Sequence, residues 1–185
     1  MPVYRALTHD PGRKTTFDTG GYYEQTTNGV PEMATLGGEY IGWKTSETKQ
    51  ICASKSPHAA ALAKAQSIDK AEFPVTIYVY EITCTPDEDL TGTVTGDFAL
   101  LEEVRFNNPD DDPINPIHAS KHTTVTLPKQ AATDIEYIYL PGEGSIIKEW
   151  GDAVKKAIKH TIEHGEYPSV TELTGIEQPN EAAYC

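Results

Sequence analysis

The 185-residue sequence predicts a single α+β domain spanning residues 1–185. Its length fits one domain, because domains cluster near ~100–150 residues. Its predicted elements run as a strand, a helix, several strands and a final helix, rather than as alternating strand and helix units. We expect a core over about residues 3–140 and a C-terminal helix over about residues 145–164.

Two helices are predicted from capping signals and apolar spacing. Ser56 offers a cap and Pro57 a first helical position, and a run rich in Ala and Leu continues to Ala65. The second helix is expected over residues 145–164, because apolar residues recur there about every four positions and Gly165 follows as a stop.

Six segments rich in β-branched and aromatic residues predict strands. Pro74–Ile82 is apolar on both faces, which is typical of a central strand covered on both sides. The other predicted strands are Val3–Leu7, Gln50–Ser54, Phe98–Phe106, His122–Leu127 and Ile135–Leu140. The stretch before residue 49 shows no sustained period, and its length predicts ligand-facing loop or short helix.

Charge makes a nucleic acid an unlikely partner, and hydropathy rules out a membrane span. The formal net charge is −13, and the acid excess is spread over both halves of the chain, so charge alone does not favour a nucleic acid. No stretch approaches the ~18 apolar residues that a membrane span needs. The first residues lack the pattern of a signal peptide, so either the protein stays where it is made or this is a mature domain with a start Met. Cys52 and Cys84 could pair, which leaves Cys185 over.

Polar groups in three places are candidates for chemistry. Arg5 lies within an apolar strand, where it is either functional or an edge residue with its head group in water. Cys52 and Ser54 lie where a strand meets a capped helix, so they can reach a ligand or form turn hydrogen bonds. Glu102 and Glu103 are adjacent in a strand, and alternation predicts that they point to opposite faces.

Taken together, these residues resemble the mono-ADP-ribosyltransferase toxins of the cholera and pertussis type. That family has an Arg on its first strand, a Ser-Thr-Ser motif and a catalytic Glu followed by a small or apolar residue. The resemblance is carried, in chain order, by Val3-Tyr4-Arg5, Phe17 with Gly20-Gly21, Cys52-Ala53-Ser54 before the Ala-rich helix, Ile77–Ile82, Glu103-Val104 and Pro113–Ile117.

The resemblance implies a fold, a substrate and a biological role. The fold would be ADP-ribosyltransferase-like, with two packed, mainly antiparallel sheets around an NAD cleft and with flanking helices. NAD would be the substrate, its nicotinamide glycosidic bond would be cleaved, and ADP-ribose would pass to a protein acceptor. The domain would be a toxin or effector that is secreted or delivered into a target cell.

The resemblance also implies a role for each matching residue. Glu103 would be the catalytic Glu, accepting a hydrogen bond from the nicotinamide-ribose 2′-OH as positive charge develops at the anomeric carbon. Arg5 would bind the NAD ribose and phosphate and shape the cleft. Ser54 and Cys52 occupy the Ser-Thr-Ser positions that brace the Glu and line the nicotinamide pocket. Leu101 stands where Arg-modifying members orient the acceptor with Glu or Gln, and Glu102 could substitute if a bulge turns it inward.

Aromatic and His residues add smaller expectations. Tyr22 and Tyr40 are candidate stacking partners for the nicotinamide or adenine rings, although core packing is the commoner role of such residues. The pair His118 with His122 leads into a strand, and the pair His160 with His164 lacks a third ligand at recognisable spacing, so no metal is expected. The alternatives to a transferase are an NAD glycohydrolase or RES-type NAD phosphorylase, and an inactive binding module on the same fold.

Overall fold

The computed structural model describes residues 1–18, 49–92, 98–108, 116–140 and 146–179. Within these ranges seven strands are present: β1 Val3–Leu7, β2 Lys14–Asp18, β3 Lys49–Ser54, β4 Val75–Ile82, β5 Glu88–Asp89, β6 Glu103–Asn108 and β7 Pro116–Leu127. They form one antiparallel sheet in the order β2-β7-β4-β1-β3-β6-β5. The α+β class is therefore confirmed.

Four α-helices accompany the sheet in the described ranges: α1 Pro57–Gln66, α2 Lys129–Glu136, α3 Lys148–His164 and α4 Val170–Thr174. A 3₁₀ turn also covers Lys70–Glu72. Ser56 caps α1 by accepting a hydrogen bond from the backbone N–H of Ala59, and Pro57 follows the cap as predicted. Gly165 ends α3 in the left-handed conformation at φ 81°, which confirms the predicted stop.

The two faces of the sheet have different cores. On one face, helices α1 to α3 pack against the strands, and Leu62, Ile77 and Val154 are fully buried there. We call this the helix-side core. On the other face lies a strand-lined core, which consists of Val3, Phe17, Ile51, Ala53, Tyr80, Ile82, Val104, Phe106, Ile117 and Ala119. Strand β4 contributes to both cores, which confirms the prediction that it is covered on both sides.

The sheet has one weak joint. Most neighbouring strands pair over several positions, such as the run from Val3 opposite Ile82 to Leu7 opposite Tyr78 between β1 and β4. By contrast, β1 and β3 pair only where Tyr4 lies opposite Ser54. This joint divides the sheet into a four-strand half, β2-β7-β4-β1, and a three-strand half, β3-β6-β5. The expected pair of packed sheets is not confirmed, because the described strands form one continuous sheet.

Some predicted boundaries were wrong. The strand expected at Ile135–Leu140 does not form, because α2 runs to Glu136 and a turn follows it. The buried residues Ala131, Ala132, Ile135 and Ile138 recur at helical spacing, and their burial on one side outweighs the β propensity of the Ile and Tyr residues. The strand expected from Phe98 begins only at Glu103, after a turn. Ser145 lies outside the described residues, and α3 begins at Lys148.

Two neighbouring residues on α3 test its packing. Ile158 is fully buried, and we expect Ile158→Ala to lower the free energy of unfolding by about 2–5 kcal/mol, because the substitution leaves a cavity. Lys159 is exposed, and Lys159→Ala should change it by less than about 0.5 kcal/mol. Urea denaturation of both variants measures the difference. Equal effects would contradict the assigned buried face of α3.

Candidate functional site

Two of the predicted site residues face each other across neighbouring strands. In the pairing of β3 with β6, Ser54 lies opposite Glu103 and Cys52 lies opposite Arg105. Directly opposite residues in antiparallel strands have Cβ atoms roughly 4.5–5.5 Å apart. The structure therefore brings Ser54 and Glu103 together, although about 50 residues of chain separate them. Ser54 is buried, with 3% of its surface exposed.

The carboxylate of Glu103 is held by Arg105. Arg105 Nη2 donates to Glu103 Oε2 at 3.2 Å, and the two side chains are only 16% and 15% exposed. The Arg105 guanidinium also lies 5.3 Å from the centroid of the Phe98 ring, which is a cation–π distance. Arg105 thus fixes the position of Glu103 and compensates its charge. The sequence signal for this pair is that Arg105 follows Glu103 by two residues, which places both side chains on one face of the strand.

Arg5 contacts parts of the sheet that are far apart in strand order. Its Nη1 donates to the backbone carbonyl of Cys52 in β3 at 2.7 Å. The same guanidinium lies 5.3 Å from the centroid of the Phe17 ring in β2. In a flat sheet β2 and β3 would be four strand spacings apart, or about 19 Å. Since one planar group contacts both strands, the sheet must curve strongly around the strand-lined core.

Arg5 does not share a face with Ser54 and Glu103. It points into the strand-lined core, where Phe17, Ala53 and Val104 also lie. Because side chains alternate along a strand, Ser54 and Glu103 project from the opposite face. The structure thus joins Ser54 with Glu103 and places Arg5 behind them, against the backbone of β3.

The side chain of Glu102 contacts α3 and the start of α1. Its φ of 51° lies in the left-handed region, which few residues other than Gly and Asn adopt. Its Oε2 accepts a hydrogen bond from Ser56 Oγ at 2.9 Å and lies 3.3 Å from Lys155 Nζ and 3.9 Å from His58 Nε2. Burial lowers the pKa of His58, so Lys155 is the cation that compensates Glu102 at neutral pH.

The remaining site predictions fall in different places. Leu101 is partly buried against the helix-side core. Cys52 and Cys84 are not joined to each other, so the disulfide that the sequence allowed does not form. Tyr22 and Tyr40 lie outside the described residues.

Neither a metal centre nor a membrane span is found in the described part of the chain. No group of three or more His, Cys, Asp and Glu residues there is arranged to hold a metal ion. His160 and His164 lie with ring centroids 4.4 Å apart on α3. Of the helices in these ranges, none has the length and apolarity to cross a bilayer.

The fold and site define an α+β protein whose divided antiparallel sheet carries a buried Ser beside a paired Glu. Comparison with protein-family models, with curated proteins and with solved structures gave no match to the chain.

The role of Arg5 can be tested by a substitution that keeps its charge. Lys lacks the planar fork of donors that lets Arg bond the Cys52 carbonyl while it lies against Phe17. We expect Arg5→Lys to lower the free energy of unfolding by about 1–3 kcal/mol, measured by urea denaturation. Arg13 is exposed, and Arg13→Lys should change stability by less than about 0.5 kcal/mol. Equal stability of the two variants would mean that Arg5 does not hold the joint.

The ion pair between Lys55 and Asp89 predicts a pH dependence. Their atoms Nζ and Oδ2 lie 2.5 Å apart, and the hydrogen bond from Lys55 is the main cause that holds the pKa of Asp89 at about 2. Since the folded-state pKa lies below the ordinary value of 3.8, ionised Asp89 stabilises the fold above about pH 4. That contribution disappears as the pH falls toward 2.

We therefore expect Asp89→Asn to lower Tm at pH 6 and to lower it progressively less as the pH falls below 4. Thermal unfolding followed by circular dichroism at stepped pH measures the difference in Tm between Asp89→Asn and the wild-type chain. Glu149→Gln, at an exposed position on α3, serves as the control for a general change in charge. A Tm difference between Asp89→Asn and the wild-type chain that stays constant with pH would contradict a stabilising role for ionised Asp89.

Proposed function

We propose that this chain is an NAD-dependent mono-ADP-ribosyltransferase that cleaves the nicotinamide glycosidic bond and transfers ADP-ribose to a protein acceptor. The observation that carries the proposal is the pairing of Ser54 with Glu103 on adjacent strands. The resemblance assigns the bracing hydroxyl and the catalytic carboxylate to these two residues. Nothing in their spacing along the chain requires them to meet.

The strand order supports the same proposal. The strands that carry Arg5, Ser54 and Glu103 are consecutive in the sheet, as β1, β3 and β6. The single joint between β1 and β3 supports treating the two halves of the sheet as the two sheets of an ADP-ribosyltransferase-like fold, with NAD in the cleft beside the joint. In this proposal Arg5 shapes the cleft by holding β3 through the Cys52 carbonyl.

The chemistry of Glu103 suits glycosidic cleavage. Loss of nicotinamide leaves positive charge on the ribose ring, and a fixed carboxylate stabilises that charge more in the transition state than in the bound substrate. Arg105 contacts one oxygen of Glu103. A carboxylate has about four lone-pair positions on its two oxygens, so a ribose hydroxyl can also donate to it. Arg105 thereby acts as the group that orients the carboxylate.

A second candidate is an NAD glycohydrolase or NAD phosphorylase, in which water or phosphate takes the ribosyl group. The placement of two residues favours it. Leu101 has no carboxylate and packs against the helix-side core. The carboxylate of Glu102 is engaged by Ser56 and Lys155, so neither residue is placed to orient an acceptor side chain. The acid excess of the chain disfavours a nucleic acid acceptor in either case. A role as a toxin or effector that is secreted or delivered into a target cell rests on the resemblance alone.

Glu103→Gln tests the proposal directly. The substitution keeps the size and hydrogen bonding of the side chain but removes its charge, so we expect nicotinamide release from NAD to fall by about two to three powers of ten. Glu102→Gln should leave most of that release intact, because its carboxylate points to α1 and α3. Chromatography of released nicotinamide, with circular dichroism to verify folding, measures both.

The outcomes separate the candidates. Label from adenine-labelled NAD that appears on protein in a cell lysate supports the transferase, and free ADP-ribose or its phosphate ester supports the second candidate. Loss of cleavage in Glu102→Gln but not in Glu103→Gln would move the catalytic role to Glu102. If the wild-type chain cleaves no NAD, an inactive binding module remains.

A further inference from the structure

A cavity lies away from the strands that carry Ser54 and Glu103. It is an open cavity of ≈ 410 Å³ between α2, α3 and the segment that leads into α4. Cavities that bind small molecules in proteins usually enclose about 300–1,000 Å³. The residues that line it include Gln130, Asp134, Trp150, Tyr167 and Val170. The transferase proposal uses none of them.

Asp134 lies on the wall of this cavity and is only 3% exposed. Its Oδ1 accepts a hydrogen bond from Gln130 Nε2 at 3.0 Å, and its Oδ2 accepts one from the Tyr167 hydroxyl at 2.8 Å. The Trp150 indole N–H donates to the Asp134 backbone carbonyl at 2.8 Å. The two donors to the carboxylate, Gln130 and Tyr167, are neutral, so they orient it without compensating its charge.

No cation accompanies this carboxylate in the described part of the chain. By contrast, the mostly buried carboxylate of Glu103 pairs with Arg105, and that of Glu102 pairs with Lys155. A buried charge without a counter-ion is costly, and burial accordingly raises the pKa of Asp134. A cation that entered the cavity would supply the missing partner.

The rest of the cavity wall suits an organic cation better than a metal ion. Trp150 and Tyr167 supply aromatic surface, which attracts cations and packs against carbon skeletons. Val170 and two Pro residues add apolar surface. The wall offers a single carboxylate, whereas hard metal ions prefer six or more oxygen ligands.

We propose that this cavity binds a small organic cation, an alkylammonium or guanidinium compound with an apolar body, and that Asp134 is its counter-ion. The site is independent of the proposed NAD chemistry. It would select its ligand by charge at Asp134 and by the aromatic surface beside it.

The test compares phenethylamine with 2-phenylethanol, which has nearly the same shape and no charge. We expect isothermal titration of the full chain at pH 8 to show millimolar or tighter binding of phenethylamine, and at least about tenfold weaker binding of 2-phenylethanol. Asp134→Asn should weaken phenethylamine binding by at least about tenfold. Glu149→Gln removes one exposed negative charge next to Trp150 and should leave binding within about twofold.

Three results would overturn the proposal: no phenethylamine binding at 10 mM (about the weakest affinity the titration detects), equal binding of the amine and the alcohol, or unchanged binding in Asp134→Asn. Circular dichroism verifies that the variant folds. If it does not, the contrast between amine and alcohol on the wild-type chain decides the question, because that contrast needs no substitution.

Discussion

The hydrogen bond from the Arg5 guanidinium to the Cys52 carbonyl is the contact on which the architecture depends. It bridges β1 and β3 at the place where their backbone pairing stops after Tyr4 and Ser54. The bond is charge-assisted and partly buried, and such hydrogen bonds are stronger than those between neutral groups. One charged side chain thus links the two halves of the sheet where a single residue pair joins their backbones.

Both carboxylates at the start of β6 depend on that arrangement. The pairing of β3 with β6 sets which residues meet, and a shift of one position would exchange the faces of Glu103 and Val104. The left-handed backbone at Glu102 fixes where the strand begins. Ser56 then serves two elements, because it caps α1 and also donates to Glu102. Together with Lys155, this hydroxyl connects the helix layer to the start of β6.

The sequence predicted the elements whose signals are local. The cap at Ser56, the stop at Gly165 and the two-sided apolar pattern of β4 all correspond to observed features. The strand predicted at Ile135–Leu140 does not form, because the helical spacing of the apolar residues before it outweighs the β propensity of its Ile and Tyr side chains. The partners of Arg5 and Glu102 could not be predicted, since they depend on strand order and on a residue with positive φ. The stacking roles of Tyr22 and Tyr40 stay predictions, since both residues lie outside the described ranges.

The separate cation partners of Glu102 and Glu103 have an electrostatic consequence. Two adjacent acids without counter-ions would add two uncompensated negative charges to a chain whose net charge is already −13. Here each carboxylate has its own cation, Lys155 on the helix layer and Arg105 on the sheet. The Glu-Glu step therefore presents two compensated pairs. Phosphate groups that approach this end of the sheet do not meet the repulsion that a bare pair of carboxylates would exert.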